Sequence, residues 1–448
     1  MGDRMAGPSR GKVVVFTRYP AAGRVKTRLI AAVGALGAAE VQRRMTEQTL
    51  ATAASVPAST ADVEVCYTGG SRRQMRRWLG GAMAMAGQGT GDLGERMRRA
   101  FDRGFDEGCR HVVIIGADCP SITADDLTEA IAALEECDMV LGPCGDGGYW
   151  LIALRRRAEV LAGIEWGGPS VLSATLGRAK EAGLAAGTLT EKQDIDEPGD
   201  LDCLPWVEAA RRPYLSVIVP ALNEQATIQQ AVASARGEGV EVVVVDGGSD
   251  DATAELAAQA GARVLRTSPG RAVQMNSGAA AARGRVLLFL HADTLLPAGY
   301  GEAVFEAMLD PKVVGGALGF STDEGGWAMR VVTALVAFRA DKLHLPYGDQ
   351  GVFVRRSVFE SLGGYRDWPV GEDLDFAARL RLCGRVAVMP AAARTSGRRW
   401  RELGVWRTML INQIVVAAYW LGASPGALRW LYTWPRRRRL ARRCGGSL

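Results

Sequence analysis

The chain has few of the residues that build histidine-based or cysteine-based sites. Among its 448 residues there are three histidines, and its eight cysteines never form a Cys-x-x-Cys pair. This scarcity argues against a structural zinc site, a disulfide framework and a Ser-His-Asp triad. It favours reduced thiols, as in a cytoplasm. Long apolar runs are also absent: the longest near the C-terminal end, residues 414–423, has about half the length that a membrane span requires.

Charge is modest overall and uneven along the chain. The formal net charge is +5, and six arginines lie close together near the C-terminal end: Arg436, Arg437, Arg438, Arg439, Arg442 and Arg443. Such a run predicts either a solvated end or attraction to an anionic lipid surface. The first residues lack the apolar segment of a secretory signal. We expect a cytoplasmic protein without a nucleic-acid partner, and its alternative location is peripheral, at the inner face of the membrane.

Apolar β-branched runs alternate with alanine-rich stretches along most of the chain. The strand-like runs are Val13–Phe16, Val112–Ile115, Leu215–Val219, Val240–Val245 and Val286–Leu290. Continuous apolar runs of this length are typical of strands that are covered on both faces. The alternation predicts an α/β protein with two domains in tandem, each built on a mainly parallel central sheet flanked by helices.

The boundary between the two halves is expected near Pro205 to Pro213, where a charged segment gives way to a new strand. We therefore predict a first domain over residues 1–205, a linker over residues 206–213 and a second domain over residues 214–448. Both halves contain a strand that leads to Ala-Asp, at Asp118 and at Asp293. A carboxylate at the rim of a core is costly unless a cation or hydrogen-bond donors meet it, so both aspartates are candidates for ligand binding.

Four polar loops of the C-terminal half follow predicted strands or helices. They are Pro220–Glu224, Asp246–Asp251, His291–Thr294 and Gly371–Asp375. Ligands of open α/β sheets bind beyond the carboxyl ends of the strands, where such loops meet. One acid there could accept from a ribose hydroxyl, and another could hold Mg²⁺, which takes one or two carboxylates together with phosphate oxygens.

These four motifs, over about residues 215–425, resemble the inverting glycosyltransferases of family 2, which have the GT-A fold. The resemblance implies that Asp246 contacts the nucleotide, that Asp293 holds Mg²⁺ or Mn²⁺, and that Asp373 is the catalytic base. It implies a donor-binding set of Pro220, Asn223, Glu224, Asp246, Gly247, Arg271, Asp349, Arg398 and Arg399. One departure is that His291 stands at the first position of the usual Asp-x-Asp metal motif.

Chemistry also favours Asp373 as the base. An inverting transfer is an in-line displacement, so the base must lie opposite the leaving diphosphate and on a different loop from Asp293. Glu372 is the rival catalytic candidate, but neighbouring side chains diverge in direction. Segments 270–276, 347–351 and 395–400 further resemble a subgroup associated with selenium-related or arsenosugar-related genes, which leaves the acceptor open. We expect a nucleotide-diphosphate sugar as donor and a small molecule or a lipid as acceptor.

The N-terminal half has a basic loop after its first strand, in Thr17–Arg28. Point charge from Lys26 and planar groups from Arg18 and Arg28 would surround a triphosphate well; a solvated loop is the alternative. Further on, Gly89–Gly94 satisfies Gly-x-Gly-x-x-Gly, which leaves an NAD-linked oxidoreductase as a minor alternative. The preceding residues 82–86 lack β-branched side chains, and the motif does not open the first unit of the half.

The motifs Gly116–Ser121, Gly142–Ile152 and Asp194–Asp196 of this half resemble the nucleotidyltransferase-like family called selenodomain-associated transferase 1. The resemblance covers about residues 13–204 and implies a second GT-A-like (Rossmann-like) domain. By analogy, Asp118 and Asp196 share a metal, while Asp92 and Gly94 flank the nucleotide. The turn expected to face the sugar consists of Asp146, Gly147 and Gly148. This half is therefore predicted to bind a nucleotide and to make or hold the activated donor; a non-catalytic binding or assembly module is the alternative.

The C-terminal segment that contains Trp406, Ile414 and Trp420 is amphipathic. It is expected to pack on the catalytic domain as a helix. The alternative is that it rests on a membrane surface together with the arginine-rich tail.

Overall fold

The computed structural model describes residues 10–343 and 348–433, without the side chains of residues 340–343 and 399. The chain divides into two compact units, residues 1–211 and 212–448. The arginines of the C-terminal tail, the Arg399 side chain and Tyr347 lie outside the described residues.

The first unit is built on a seven-stranded sheet with the order β3-β2-β1-β4-β6-β5-β7. Its strands are β1 Gly11–Arg18, β2 Ala61–Thr68, β3 Ala84–Gly87, β4 Val112–Gly116, β5 Met139–Pro143, β6 Tyr149–Leu154 and β7 Ala186–Thr188. Its helices are α1 Ile30–Ser55, α2 Arg72–Leu79, α3 Leu93–Asp106, α4 Ala124–Ala133, α5 Val171–Glu181 and α6 Val207–Ala210, with 3-10 turns at Thr27–Leu29 and Pro198–Cys203. Only β6 runs antiparallel to its neighbours in this sheet.

The second unit contains an eight-stranded sheet with the order β10-β9-β8-β11-β14-β13-β15-β12. Its strands are β8 Leu215–Ala221, β9 Val240–Asp246, β10 Arg263–Arg266, β11 Val286–Phe289, β12 Thr294–Leu295, β13 Val313–Thr322, β14 Val352–Arg355 and β15 Arg385–Thr395. Its helices are α7 Ile228–Ala235, α8 Thr253–Gln259, α9 Arg271–Ala281, α10 Tyr300–Met308, α11 Trp327–Leu343, α12 Arg356–Ser361, α13 Glu372–Cys383, α14 Arg398–Leu403 and α15 Val405–Trp420, with a 3-10 turn at Gly348–Gln350. Residues 425–433 are also helical.

The two sheets share one strand order. When the two-residue strand β12 is set aside, each sheet reads third, second, first, fourth, sixth, fifth and seventh strand of its unit. The first four strands are parallel in both, the sixth is antiparallel to its neighbours, and the seventh is parallel to the fifth. The predicted α/β class with two mainly parallel sheets is confirmed, and Asp118 and Asp293 follow the same strand of each sheet.

Apolar runs in the strands pack against helices to make a separate core in each unit. In the second unit, buried Ile218 and Val245 of the sheet pack with Met275 of α9 and Phe376 of α13. In the first, Leu29 belongs to a cluster that also contains residues of α1 and α6. Part of the segment predicted as a linker is thus a helix in the core of the first unit.

Candidate active site

A cleft of about 570 Å³ opens at the carboxyl edge of the second sheet. Its walls come from the loops after β8 and β11, the beginnings of α9 and α13, and the inward side of α15. Neighbouring parallel strands end at this edge, so residues that are far apart in the chain meet here. The structure brings these residues of the predicted set together in it: Pro220, Glu224, Arg271, Asp293, Asp349, Glu372, Asp373 and Arg398.

The two adjacent acids at the beginning of α13 have different partners. Arg271 Nη1 donates to Glu372 Oε1 at 3.3 Å, and Glu372 is buried. Burial raises the pKa of Glu372, the Asp373 carboxylate adds to that effect, and Arg271 acts against it. Asp373 Oδ2 accepts from the backbone N–H of Gly348 at 3.0 Å. A Cβ on Gly348 would lie 2.7 Å from His291 Nε2, so glycine is required for this close approach.

Asp293, which follows β11, lies in the cleft beside an ion pair. Arg398 Nη2 lies 3.0 Å from Glu224 Oε1, which joins the beginning of α14 to the loop after β8. Burial raises the pKa of Asp293 and Glu224 adds to this, whereas Arg398 acts the other way. A further cation beside Asp293 would therefore be favourable.

The residues of this cleft fit a divalent cation. Asp349 Oδ1 is buried without a hydrogen-bond partner among the described residues. Burial raises the Asp349 pKa to about 6, with Arg339 lowering it and Asp373 raising it. Burial, with Arg271 as a second cause, lowers the pKa of His291 to about 3, so its imidazole is neutral and able to ligate. Mg²⁺ needs only one or two carboxylates when phosphate oxygens complete its shell.

Three predicted donor-binding residues do not line this cleft. Asp246 is buried, and its carboxylate accepts hydrogen bonds from the backbone of Gly248 and from Ser249. The carboxylate thus closes its own turn, and the structure does not bring it into the cleft. Asn223 Oδ1 accepts from the Asp250 N–H at 3.0 Å, and Gly247 lies in the same group of loops.

Several cleft residues were not among the predicted ones. Gln274 donates to the carbonyls of Ala221 and Val245 at 2.8 Å each, so it fixes the ends of two strands. Thr408 and Asn412 reach the cleft from α15. Gln274 lies inside segment 270–276, so the sequence did contain a signal for it. Thr408 and Asn412 lie at polar positions of the apolar helix α15, where the sequence contains no such signal.

The first unit has a smaller cavity of about 270 Å³ at the corresponding edge of its sheet, lined by Arg18 and Asp118 among others. Next to Asp118, Lys26 Nζ lies 2.7 Å from Asp196 Oδ1 and 4.0 Å from Asp118 Oδ2. The structure therefore brings the two predicted metal ligands together, with a lysine ammonium as their counter-charge. Arg28 pairs instead with the exposed Glu197.

Other predicted residues of this unit have local structural partners. Asp92 caps α3 by accepting from the Glu95 N–H, and a Cβ on Gly94 would lie 2.7 Å from the Trp166 ring. Asp146 Oδ1 accepts from the Gly148 N–H at 2.8 Å. Gly147 has φ +86°, and a Cβ there would meet the Pro169 carbonyl oxygen at 2.1 Å.

Asp194 also belongs to the acidic group of the first unit. It lies in the motif Asp194–Asp196 but was not one of the predicted site residues. Its pKa is raised to about 6, by burial first and then by Asp118, Asp146 and Asp196. Ligand atoms of Cys144, Asp146 and Asp194 lie within 4.8 Å of one another, the one such three-residue group in the part of the chain that the structure describes.

Both units are mixed α/β sheets of the GT-A fold class, and the second has an acidic and arginine-lined cleft at its carboxyl edge. Residues 216–363 match the family model for glycosyl transferase family 2. Residues 49–168 match that of an uncharacterized protein conserved in bacteria, DUF2064. The chain thus carries a DUF2064 domain in its first unit and a glycosyl transferase family 2 domain in its second unit.

Solved structures of transferases are similar to parts of the chain. A protein described as a nucleotide-diphospho-sugar transferase from Desulfovibrio desulfuricans G20 is 34% identical, over 42% of this chain and 84% of its own, with a TM-score of 0.41. The mannosyltransferase PcManGT from Pyrobaculum calidifontis, in complex with GDP-Man and Mn²⁺, is 22% identical over 53% and 77%, with a TM-score of 0.37. Glucosyl-3-phosphoglycerate synthase from Mycobacterium tuberculosis is 23% identical over 50% and 84%, with a TM-score of 0.36. No protein with a curated description matches the chain.

Proposed function

We propose that the second unit transfers a sugar from a nucleotide-diphosphate donor to an acceptor hydroxyl, with inversion at the anomeric carbon. The observation that carries this proposal is that Asp293 and Asp373 line one cleft from separate elements. Asp293 follows β11, and Asp373 lies in the first turn of α13. In this proposal, leaving-group stabilisation and proton removal act on opposite sides of the same sugar.

Asp373 is the general base of this proposal. The Gly348 N–H orients its carboxylate, which takes the proton from the acceptor hydroxyl as the oxygen attacks. Glu372 forms an ion pair with Arg271, so its negative charge is balanced by the Arg271 guanidinium. Arg271 and Arg398 place positive charge in the cleft for the donor diphosphate.

Asp293 and Asp349 would hold Mg²⁺ or Mn²⁺, with neutral His291 as a further candidate ligand. The ion would supply Lewis-acid charge to the departing diphosphate. Every other part of the proposed chemistry is performed by the chain's own acids and arginines.

A screen of nucleotide sugars tests the proposal on the full chain. We expect at least one nucleotide-diphosphate sugar to raise the melting temperature in the presence of Mg²⁺ or Mn²⁺, because a ligand that binds only the native state stabilises it. The same sugar should be hydrolysed or transferred, and inversion would be read from the anomeric configuration of the product. Asp367→Asn, an exposed acid outside the cleft, is the matched control for substitutions in it. A screen without a single stabilising nucleotide-diphosphate sugar would overturn the proposal.

For the first unit we propose nucleotide binding at the cavity beside Arg18 and Asp118. The position of Lys26 between Asp118 and Asp196 favours the second candidate, a binding module without catalysis, because the acids already have a cation. Asp118→Ala combined with Asp196→Ala should remove nucleotide binding by this unit and leave donor hydrolysis by the full chain unchanged. Formation of a nucleotide sugar from a sugar phosphate and a nucleoside triphosphate would instead show a nucleotidyltransferase.

A further inference from the structure

Helix α11 presents large apolar side chains to solvent along one side. Trp327, Val331, Leu335 and Phe338 recur at helical spacing and are 67%, 38%, 45% and 59% exposed. The opposite side of the same helix is buried through Met329 and Val332. A surface helix normally has polar residues on its solvent side, so α11 has an apolar side that the described residues of its own unit leave largely exposed.

Helix α15 repeats this arrangement and packs against α11. Trp406, Leu410 and Ile414 are 50%, 61% and 44% exposed at a spacing of four residues. The rings of Trp327 and Trp406 lie 5.4 Å apart, which joins the two apolar sides. We call these seven exposed residues the outer face: Trp327, Val331, Leu335, Phe338, Trp406, Leu410 and Ile414.

The charge of the adjoining sequence indicates what covers the outer face. No aspartate or glutamate follows Glu402, whereas eight arginines do: Arg407, Arg429, Arg436, Arg437, Arg438, Arg439, Arg442 and Arg443. Exposed tryptophans beside apolar side chains and arginines are typical of residues at a membrane–water interface. A second copy of the chain is the less favourable occupant, because a symmetric interface would bring two equally basic segments together.

The other side of α15 faces the cleft. Thr408, Asn412 and Val416 line it, and Tyr432 adds to this wall from the helical residues 425–433. One helix therefore carries cleft residues on one side and the outer face on the other.

We propose that the outer face and the arginine-rich segment after it dock the second unit on an anionic lipid bilayer, where the cleft receives an amphiphilic acceptor. The docking stands on the exposed residues and the charge alone, whereas the nature of the acceptor rests on the proposed sugar transfer. The apolar side chains enter the interfacial region, and the arginines contact lipid headgroups. No helix of the described residues is long and apolar enough to cross a membrane, so the proposed attachment is to the surface.

Vesicle co-sedimentation of the full chain, without any donor, tests the docking. We expect binding to vesicles of phosphatidylcholine with phosphatidylglycerol, and weaker binding to phosphatidylcholine alone. Leu335→Gln combined with Leu410→Gln should lower the affinity by about tenfold or more, as should the independent variant Phe338→Gln. Leu382→Gln is the matched control, because Leu382 is an 81% exposed leucine on α13, outside the outer face. Replacement of Arg436 to Arg439 by glutamine should lower binding on the order of 100-fold at low salt.

Equal vesicle recovery of the wild type, the double variant and Phe338→Gln would overturn the proposal. A dimer that Leu410→Gln dissociates, found together with no vesicle binding, would assign the outer face to a second copy instead. Asp373→Asn should bind vesicles like the wild type. Failure of docking and failure of the proposed transfer are therefore separate results.

Discussion

Arg271 and Glu372 are 101 positions apart, yet their side chains form an ion pair with 3.3 Å between Nη1 and Oε1. The pair joins the beginning of α9 to the beginning of α13 at the cleft. It gives Glu372 a cation partner, while the neighbouring Asp373 is oriented by a backbone N–H. Two adjacent acids thus have different partners, and substitutions can distinguish the roles proposed for them.

Asp373→Asn should lower turnover by about 10²–10⁴-fold, the usual contribution of a positioned general base. Donor affinity, measured by calorimetry, should remain within a few-fold of the wild type, because the substitution keeps the shape of the side chain. Glu372→Gln should weaken donor binding more than turnover, because Arg271 loses the carboxylate that holds its guanidinium in the cleft. If the larger loss of turnover followed Glu372→Gln, the base assignment would have to be exchanged.

Asp293→Asn should weaken Mn²⁺ binding by the second unit, and Asp349→Asn should do so as well. Both remove a carboxylate charge from the cleft, and divalent hard cations depend on such oxygens. Electron paramagnetic resonance of free Mn²⁺, titrated with nucleoside diphosphate present, measures the affinity independently of turnover. Asp250→Asn, an exposed acid outside the cleft, serves as control. Unchanged Mn²⁺ affinity in both variants would remove these two residues from the proposed metal site.

Lys26→Ala should increase divalent-cation affinity in the first unit. The ammonium now balances Asp196 and Asp118, so its removal leaves two carboxylates whose repulsion a metal ion would relieve. Calorimetric titration of Mg²⁺ into full-length chain that carries Asp293→Asn isolates this unit. Arg28→Ala, which breaks the exposed pair with Glu197, is the control. Equal Mg²⁺ affinity with and without Lys26 would contradict its role as a counter-charge.

Asp138→Asn should lower the melting temperature at pH 7 and reduce the pH dependence of stability in acid. Hydrogen bonds from Arg156, then Arg155, and from the backbone of Ala185 hold the Asp138 pKa well below its usual value. A depressed folded-state pKa contributes stability above the unfolded-state pKa of about 3.9, and this stability is lost as the pH falls through the folded-state value. Calorimetric melts from pH 7 to pH 3 check this.

The matched variant is Glu129→Gln, which neutralises an exposed acid of α4. Its melting temperature should differ from that of Asp138→Asn at pH 7, and the difference should shrink below about pH 4. A constant difference over the whole range would show that the Asp138 charge contributes nothing to stability.

Five of the strands and most of the cleft loops could be predicted because both depend on local signals. Continuous apolar runs marked β1, β4, β8, β9 and β11, and parallel strand ends bring the following loops together wherever the sheet forms. The partner of each acid depends on tertiary contacts instead. Lys26 lies 170 positions from Asp196, and no local pattern connects them.

Asp246 shows that a sequence motif does not reveal which hydrogen bonds its carboxylate already makes. The acidic loop after β9 was visible in the sequence, but the competition for its carboxylate was not. Ser249 and two backbone N–H groups satisfy Asp246 inside its own turn. Asp375 behaves in the same way, since Arg379 and Arg366 pair with it and it is 1% exposed. Of the acids in that α13 motif, Glu372 and Asp373 line the cleft, whereas Asp375 is not among its lining residues.

Because the two units share one strand order, equivalent positions of the two units can be compared within one molecule. Asp118 and Asp293 follow the fourth strand of their sheets, one beside a lysine and the other without a neighbouring lysine among its described contacts. A metal titration followed by NMR resonances assigned to each aspartate would compare the two sites in one sample. Protein concentration and ionic strength are then the same for both. Differences in buffer, expression or preparation, which usually separate two homologous proteins, then cancel.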